Sequence, residues 1–120
     1  MSFDELGEAT AELVDLLQAV DGVTVYDEPG ANPDPPCVLI GAPSLAWTTQ
    51  GPEPDEATVN LAIVVRLDDR AMANLRDLVQ RVAAAVDQHS SAVVRRATPG
   101  SYPAGNTSLP AYDLEVDLGL

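Results

Sequence analysis

Residues 58–86 read TVNLAIVVRLDDRAMANLRDLVQRVAAAV and join the clearest strand pattern in the chain to its clearest helix pattern. Over residues 58–67 every second side chain is aliphatic, which is the period of a strand with one buried face. Over residues 70–86 apolar side chains recur at steps of three and four, which predicts an amphipathic helix. Asp68 or Asp69 can accept hydrogen bonds from the first-turn amides of that helix. The helix is therefore expected to fold back over the apolar face of the strand.

The same periodicities predict which side chains form the core. The strand is expected to bury Val59, Leu61, Ile63, Val65 and Leu67, and the helix Met72, Leu75, Leu78, Val79, Val82, Ala83 and Val86. The closing stretch, residues 111–120, also alternates, so one of its faces is expected to be buried and the other acidic. The inward set is Tyr112, Leu114, Val116 and Leu118, and the outward set is Asp113, Glu115 and Asp117.

The remaining elements complete a sheet around this unit. An apolar repeat over residues 3–20, preceded by Ser2 and followed by Gly22, predicts a first helix. Three shorter strands are predicted at Val23–Tyr26, Cys37–Ile40 and Ala92–Ala97. The predicted order is α-β-β-β-α-β-β, in one α+β domain spanning residues 1–120. Two helices should pack on one face of a mostly antiparallel sheet, giving two layers.

Three segments rich in proline and glycine are predicted to be loops: residues 27–36, 48–57 and 98–110. The second segment is longer than a tight turn and can form an arm that projects toward a neighbouring molecule. Arg95 and Arg96 interrupt an otherwise acidic surface and suit contacts between copies. The candidate contact residues are Thr48, Gln50, Glu53, Asp55, Glu56, Arg95 and Arg96.

Composition excludes several classes of function. The formal net charge is −13, from 19 acidic residues against 6 basic ones, all of them arginine. Such a surface repels phosphate backbones and anionic lipids. Aromatic residues make up only 4% of the chain, so a platform for stacking bases or sugars is not expected. The charge remains compatible with a lining past which DNA slides, or with a mimic of DNA. No apolar stretch approaches the ~20 residues of a membrane span, so no membrane partner is expected.

Reactive chemistry is not indicated. Cys37 is the only cysteine, which excludes an internal disulfide and suits a reducing cytoplasm. His89 follows a helix without a motif that would supply a nucleophile, so a helix-terminal role is the simpler interpretation. The row Asp113, Glu115 and Asp117 could bind a divalent cation, but a solvated face is the simpler reading. The sequence therefore predicts no enzyme, with no catalytic residue, metal or cofactor.

Five segments together resemble one protein family. They are VDGVTVYDEP after the first helix, PDPPCVLIGAP, the strand TVNLAIVVRL, the helix RAMANLRDLVQRVAAAV and the closing PAYDLEVDL. In their order along the chain they resemble the tail terminator, or tail-completion, proteins of long-tailed bacteriophages. The resemblance implies an α/β fold and a homo-oligomeric ring, a hexamer in that family.

The resemblance also implies a function in virion assembly. The ring would cap the tail tube, stop its polymerisation and provide the surface that joins the head. Its partners would be the tail tube protein and a head-closure protein, and DNA would pass through without specific binding. Six copies at −13 each would give the ring −78. The protein would be assembled in the host cytoplasm and reside at the head-proximal end of the tail. The alternatives are a head-closure or connector protein on the head side, and an acidic DNA-mimic or binding module.

Overall fold

The computed structural model describes residues 2–28 and 33–119, which form two helices and one six-stranded sheet. The elements are α1 (Phe3–Gln18), β1 (Thr24–Tyr26), β2 (Cys37–Ile40), β3 (Ser44–Ala46), β4 (Glu56–Val64), α2 (Ala71–Asp87), β5 (Ala92–Ala104) and β6 (Thr107–Leu118). Part of the predicted loop 27–36 lies outside the described residues.

The sheet has the order β1-β2-β4-β6-β5, and β3 pairs with β4 beside β2. The β1–β2 pair is parallel and the other pairs are antiparallel. Side chains of both helices share one core cluster with one face of the sheet. The predicted α+β class, with two helices on a mostly antiparallel sheet, is confirmed. The short strand β3 adds one element to the predicted order.

The core follows the predicted periodicities in β4, α2 and β6. Leu61, Ile63 and Leu114 are fully or almost fully buried, as are Val82 and Val86 of α2. In the strands every second side chain is aliphatic and faces the core. In the helix the apolar side chains recur every three or four residues, and they pack against that face of the sheet to give two layers.

Two predicted core residues are exposed instead. Leu67 is 66% exposed and Met72 is 62% exposed. The strand β4 ends at Val64, opposite the first residue of β2, so Leu67 lies in the turn before α2. The prediction failed for Leu67 because alternation in the sequence continues past the point where the sheet has a neighbouring strand. Met72 lies in the first turn of α2, where Ala71 is the buried residue instead.

The ends of the helices agree only partly with the sequence signals. Ser2 Oγ accepts a hydrogen bond from Glu5 N at 3.0 Å, as expected of a capping serine. Gly22 has the positive φ, 76°, that suits the turn after α1. The predicted cap of α2 was wrong in detail: Asp68 Oδ1 accepts from Arg70 N at 2.9 Å, and Arg70 itself precedes the helix. Asp68 therefore closes the turn before α2 and leaves its first-turn amides without a side-chain cap.

The largest departure from the predictions is in the last third of the chain. The predicted strand 92–97 is confirmed but ends too early, and the predicted loop 98–110 is wrong, because β5 runs to Ala104 and pairs with β6 to the turn. Proline fits in β5 because β5 is an edge strand, where an amide hydrogen can be absent without breaking the sheet. The two-residue turn begins with Gly105 at φ 63°, as a type II′ hairpin turn requires. A bulge lies between Val94 and Arg96.

The far end of this hairpin projects from the sheet. The last pair between β4 and β6 is Val64 with Ala111, whereas β5 and β6 continue for four more pairs. We call residues 101–110 the arm. At ~3.4 Å per residue these pairs extend the hairpin by roughly 14 Å. The arm contains no charged residue, although the chain carries 25 (19 acidic and 6 basic).

Candidate interaction surfaces

The face of the sheet opposite the helices carries a groove. Tyr26, Leu39, Ala62 and Asp113 are successive cross-strand partners in four neighbouring strands, so their side chains share this outer face. They line an open depression of about 840 Å³, which Thr10 of α1 also lines. We call this depression the outer groove. Its remaining apolar lining includes Pro43 and Tyr102, and its acidic lining is Asp27, Glu28 and Asp113.

A small apolar cluster lies next to the groove on the same face. Cys37 and Val64 are fully buried there and pack with Ala111. Burial raises the pKa of the Cys37 thiol to about 11, with a further contribution from the charge of Asp34. The thiol is therefore protonated near neutral pH and unsuited to nucleophilic chemistry. The sequence did not predict the cluster, because only the register of the sheet shows that these three residues are neighbours.

The opposite end of the outer face is charged. Asp113, Glu115 and Asp117 all lie on this face of β6, as predicted. Arg95 Nη2 lies 3.0 Å from Asp117 Oδ2, and Arg96 is the cross-strand partner of Glu115. The bulged pair of arginines thus adjoins the acidic row within one chain. Across residues 2–28 and 33–119, no group of three potential ligands is arranged to hold a metal ion.

Of the segment that was expected to project, residues 48–55 form a closed loop between β3 and β4, and residues 56 and 57 belong to β4. Asp55 Oδ2 accepts from Thr48 N at 2.6 Å and from Thr49 N at 2.8 Å. The hydroxyl groups of both threonines also donate to the Asp55 carboxylate. These bonds, the one from the Thr48 hydroxyl first, lower the pKa of Asp55 to about 2. These bonds close the base of the loop, whose tip is exposed, whereas the arm continues past the end of its pairing with β4.

The seven candidate contact residues therefore occupy separate places. Gln50 and Glu53 are exposed near the tip of the closed loop, and Glu56 opens β4 opposite Ala46. Thr48 and Asp55 are bonded to each other at the base of the loop. Arg95 and Arg96 lie on β5, the strand at the other edge of the sheet from β1. Their role as contacts between molecules stays a prediction.

His89 joins the two helices instead of facing solvent. Its Nε2 lies 2.8 Å from Ala9 O in α1. Its Nδ1 accepts hydrogen bonds from Ser91 N at 3.0 Å and Ala92 N at 3.1 Å. These contacts assign the neutral tautomer that carries hydrogen on Nε2. Both ring nitrogens are hydrogen-bonded to backbone groups, so neither is free to act as a general base. The ring links the turn after α2 to α1, and we call this link the clip.

The glutamate beside this clip strengthens the same junction. Glu12 accepts from Ser90 N at 2.7 Å and from Ser90 Oγ at 2.9 Å. The backbone bond from Ser90 is the main cause that lowers the pKa of Glu12. The turn after α2 is therefore held to α1 by a buried imidazole and by an exposed carboxylate. The sequence predicted that His89 lies at the end of a helix. Its hydrogen bonds to Ala9 O, Ser91 N and Ala92 N became evident only from the fold.

A second surface of distinct character lies where β4 passes into α2. Leu67 and Met72 are the two most exposed large hydrophobic side chains among the described residues. Arg70 and Arg76 accompany them, and Arg76 lies one turn after Met72 on the same side of α2. Neither arginine forms an ion pair within the described ranges. We call these four residues the α2 patch.

Comparison with known proteins adds no assignment. No protein-family model matches the chain, and no match to a curated protein is found. Over the described residues, no helix is both long enough and apolar enough to cross a lipid bilayer.

Proposed function

We propose that the chain is a structural tail terminator protein of a long-tailed bacteriophage. In this role copies of the chain form a ring on the end of the tail tube, stop its polymerisation and present the surface that joins the head. The observation that carries the proposal is the uncharged arm, residues 101–110, which projects from a compact and strongly acidic domain. Resemblance in the order of the sequence elements supplies the family.

The arm suits contact with a neighbouring copy or with the tube. It extends roughly 14 Å past the last pair between β4 and β6, and Val65 N donates to Pro110 O at its base. Two copies at −13 each repel one another, but segments without charge can approach without that cost. Tyr102 and Leu109 are cross-strand partners in the arm. Both are half-buried against the small apolar cluster around Cys37, so only their remaining exposed surface is offered for such a contact.

The acidic remainder suits the passage of DNA. A ring lined by carboxylates does not retain a phosphate backbone, and its repulsion of DNA falls with added salt. The same charge does not favour the alternative of a DNA mimic. Arg95 pairs with Asp117, and Arg96 lies opposite Glu115, so the one regular row of acids is partly neutralised.

The proposal is tested by negative-stain electron microscopy of purified protein mixed with assembled tail tubes. Rings are expected at one end of the tubes. A variant that lacks Tyr102, Pro103, Ser108 and Leu109 shortens the arm by two residues on each strand, so the register and the Gly105 turn are kept. This variant is expected to fold and to leave the tubes uncapped.

The matched control is Glu53→Gln, an exposed change in the closed loop. It is expected to cap tubes as the parent protein does if the arm makes the contact. Loss of capping by Glu53→Gln with retention by the arm-shortened variant would assign the contact to residues 48–57 instead. Bare tubes with folded parent protein would reject the terminator role and favour a head-side connector.

A further inference from the structure

We infer that Pro99 and Pro103 close the free edge of β5 to strand addition, so that the arm meets its partners through side chains and not by extending the sheet. What this inference says of the arm's partners rests on the proposed function. It also explains how an uncharged pair of strands can project from the domain without pairing with the arm of another copy.

Among the described strands, β5 is the only long one at an edge of the sheet. There β1 and β3 have three residues each, whereas β5 has thirteen and pairs with β6 alone. An edge strand presents backbone amide and carbonyl groups with which a strand of another molecule can pair. Short edges offer few such groups, so β5 is the edge on which an added strand would form most hydrogen bonds.

The direction of the backbone groups in β5 follows from the contacts of β6. Residues of an antiparallel pair alternate between those that are bonded to the partner strand and those whose backbone groups point away from it. Pro110 lies opposite Ser101, and its carbonyl oxygen accepts a hydrogen bond from Val65 N at 3.2 Å, on the β4 side of β6. Pro110 and Ser101 are therefore not bonded to each other, and the backbone groups of Ser101 point to the free edge.

Two prolines occupy the neighbouring positions of the same kind. The register of β5 with β6 is unbroken after the bulge. Pro99 and Pro103 lie two residues before and after Ser101, so their nitrogens also face the free edge. Proline carries no amide hydrogen there. An added strand would find a donor at Ser101 but none at either proline, and each proline would leave one carbonyl group of that strand without a partner.

The two halves of β5 are protected in different ways. The first half contains the bulge between Val94 and Arg96, together with the charged side chains of Arg95 and Arg96. Bulges, charges and prolines are three features by which natural edge strands resist strand addition. Residues 97–104 carry no charge and pair regularly, so proline is the feature that protects them. Without it, an uncharged edge of this length would be a site of aggregation.

Sedimentation velocity on the free chain tests the inference. The double variant Pro99→Ala, Pro103→Ala regains two outward amide hydrogens, so it should self-associate at least about tenfold more tightly than the parent. The measurement is made at about 1 M salt, where repulsion between acidic copies is screened beyond ~3 Å. Pro110→Ala is the matched control, because it removes a proline from the same hairpin but its nitrogen faces away from β5 and the free edge. Equal association of the double variant and the parent would overturn the inference, as would an equal rise in the control.

Amide hydrogen exchange gives a second measurement, which needs no substitution. In the parent, the amides of Ala97 and Ser101 should exchange rapidly, whereas those of Thr98 and Gly100, which point to β6, should be protected. The reverse pattern would overturn the inference, because it would direct the nitrogens of the prolines toward β6. In the associated double variant the amides of Ala97 and Ser101 should become protected. Rapid exchange there would also overturn the inference, because the copies would then associate through another surface.

The inference and the proposed function can fail separately, because neither measurement uses tail tubes. Capped tubes, with unchanged association of the double variant, would support the terminator role and reject the closed edge. Bare tubes, with tenfold tighter association of the double variant and protected edge amides, would reject the terminator role and support the closed edge.

Discussion

His89 Nε2 lies 2.8 Å from the carbonyl oxygen of Ala9, which joins the turn after α2 to the middle of α1. Eighty positions separate the two residues in the chain, and the His89 side chain is fully buried. A buried hydrogen bond of this kind fixes the position of one helix relative to the other. It therefore contributes to the stability of the helix layer and not to chemistry.

Replacement of this ring should be costly. His89→Ala leaves the Ala9 carbonyl and the amides of Ser91 and Ala92 without their partner, and it also opens a cavity. We expect the free energy of unfolding to fall by about 2–4 kcal/mol. Urea denaturation measures the change, and Gln88→Ala, at the neighbouring exposed position, is the control. A loss as small as that of the control would show that the clip is dispensable.

The closed loop should make stability depend on pH through Asp55. The pKa of this carboxyl in the folded protein, about 2, is below its ordinary value of 3.8, so the ionised form favours folding. The contribution is complete above pH 3.8 and is lost as the pH falls toward 2. The melting temperature of the parent should exceed that of Asp55→Asn at pH 6, and the difference should shrink between pH 4 and 2. A difference that is constant with pH, or as small as that of Glu53→Gln, would contradict this assignment.

Two leucines on one predicted strand should respond differently to truncation. Leu61 is fully buried and Leu67 is 66% exposed, although both fit the same alternation. Leu61→Ala should lower the free energy of unfolding by about 2–5 kcal/mol, since it removes buried surface and leaves a cavity. Leu67→Ala should change it by less than about 0.5 kcal/mol. Equal effects in chemical denaturation would place Leu67 in the core.

Cys37 should be unreactive until the protein unfolds. With a pKa of about 11, roughly one thiol in a thousand is ionised at pH 8, against about one in ten at the ordinary value of 9.0. Burial adds a steric barrier. Reaction with a coloured disulfide reagent should be at least about a hundredfold slower in buffer than in denaturant. Comparable rates in the two solutions would show that the apolar cluster opens readily.

The sequence predicts the elements of this fold better than their extent. Amphipathic periodicity identified α1, α2, β4 and β6, because each of these elements buries one face. The arm was missed because its prolines and glycines are those of a loop, and they fit a strand only at the edge of a sheet. Strand order is a tertiary property, so local patterns could not reveal that β5 is the edge strand.

The candidate surfaces were still less predictable. Tyr26, Leu39, Ala62 and Tyr102 belong to four separate stretches, and no local pattern connects them. They meet in the outer groove only through the pairing of five strands, β1-β2-β4-β6-β5. Leu67 and Met72 were expected in the core from periodicity alone, although they end on the surface. Leu67 continues the periodicity of β4 beyond the end of that strand, whereas Met72 lies in the first turn of α2.

The bulge at Arg95 changes which face of the sheet the even-numbered residues of β5 occupy. Val94 faces the core opposite Val116, and Tyr102, eight positions later, faces the groove opposite Leu109. In an unbroken strand these two even-numbered positions would point to the same side. The inserted residue inverts the alternation, so one strand serves the core at its start and the outer face in the arm. Deletion of Arg95 would therefore restore regular pairing and leave Tyr102 opposite Leu109 on the same face, because Val94 and Arg96 already pair with consecutive residues of β6.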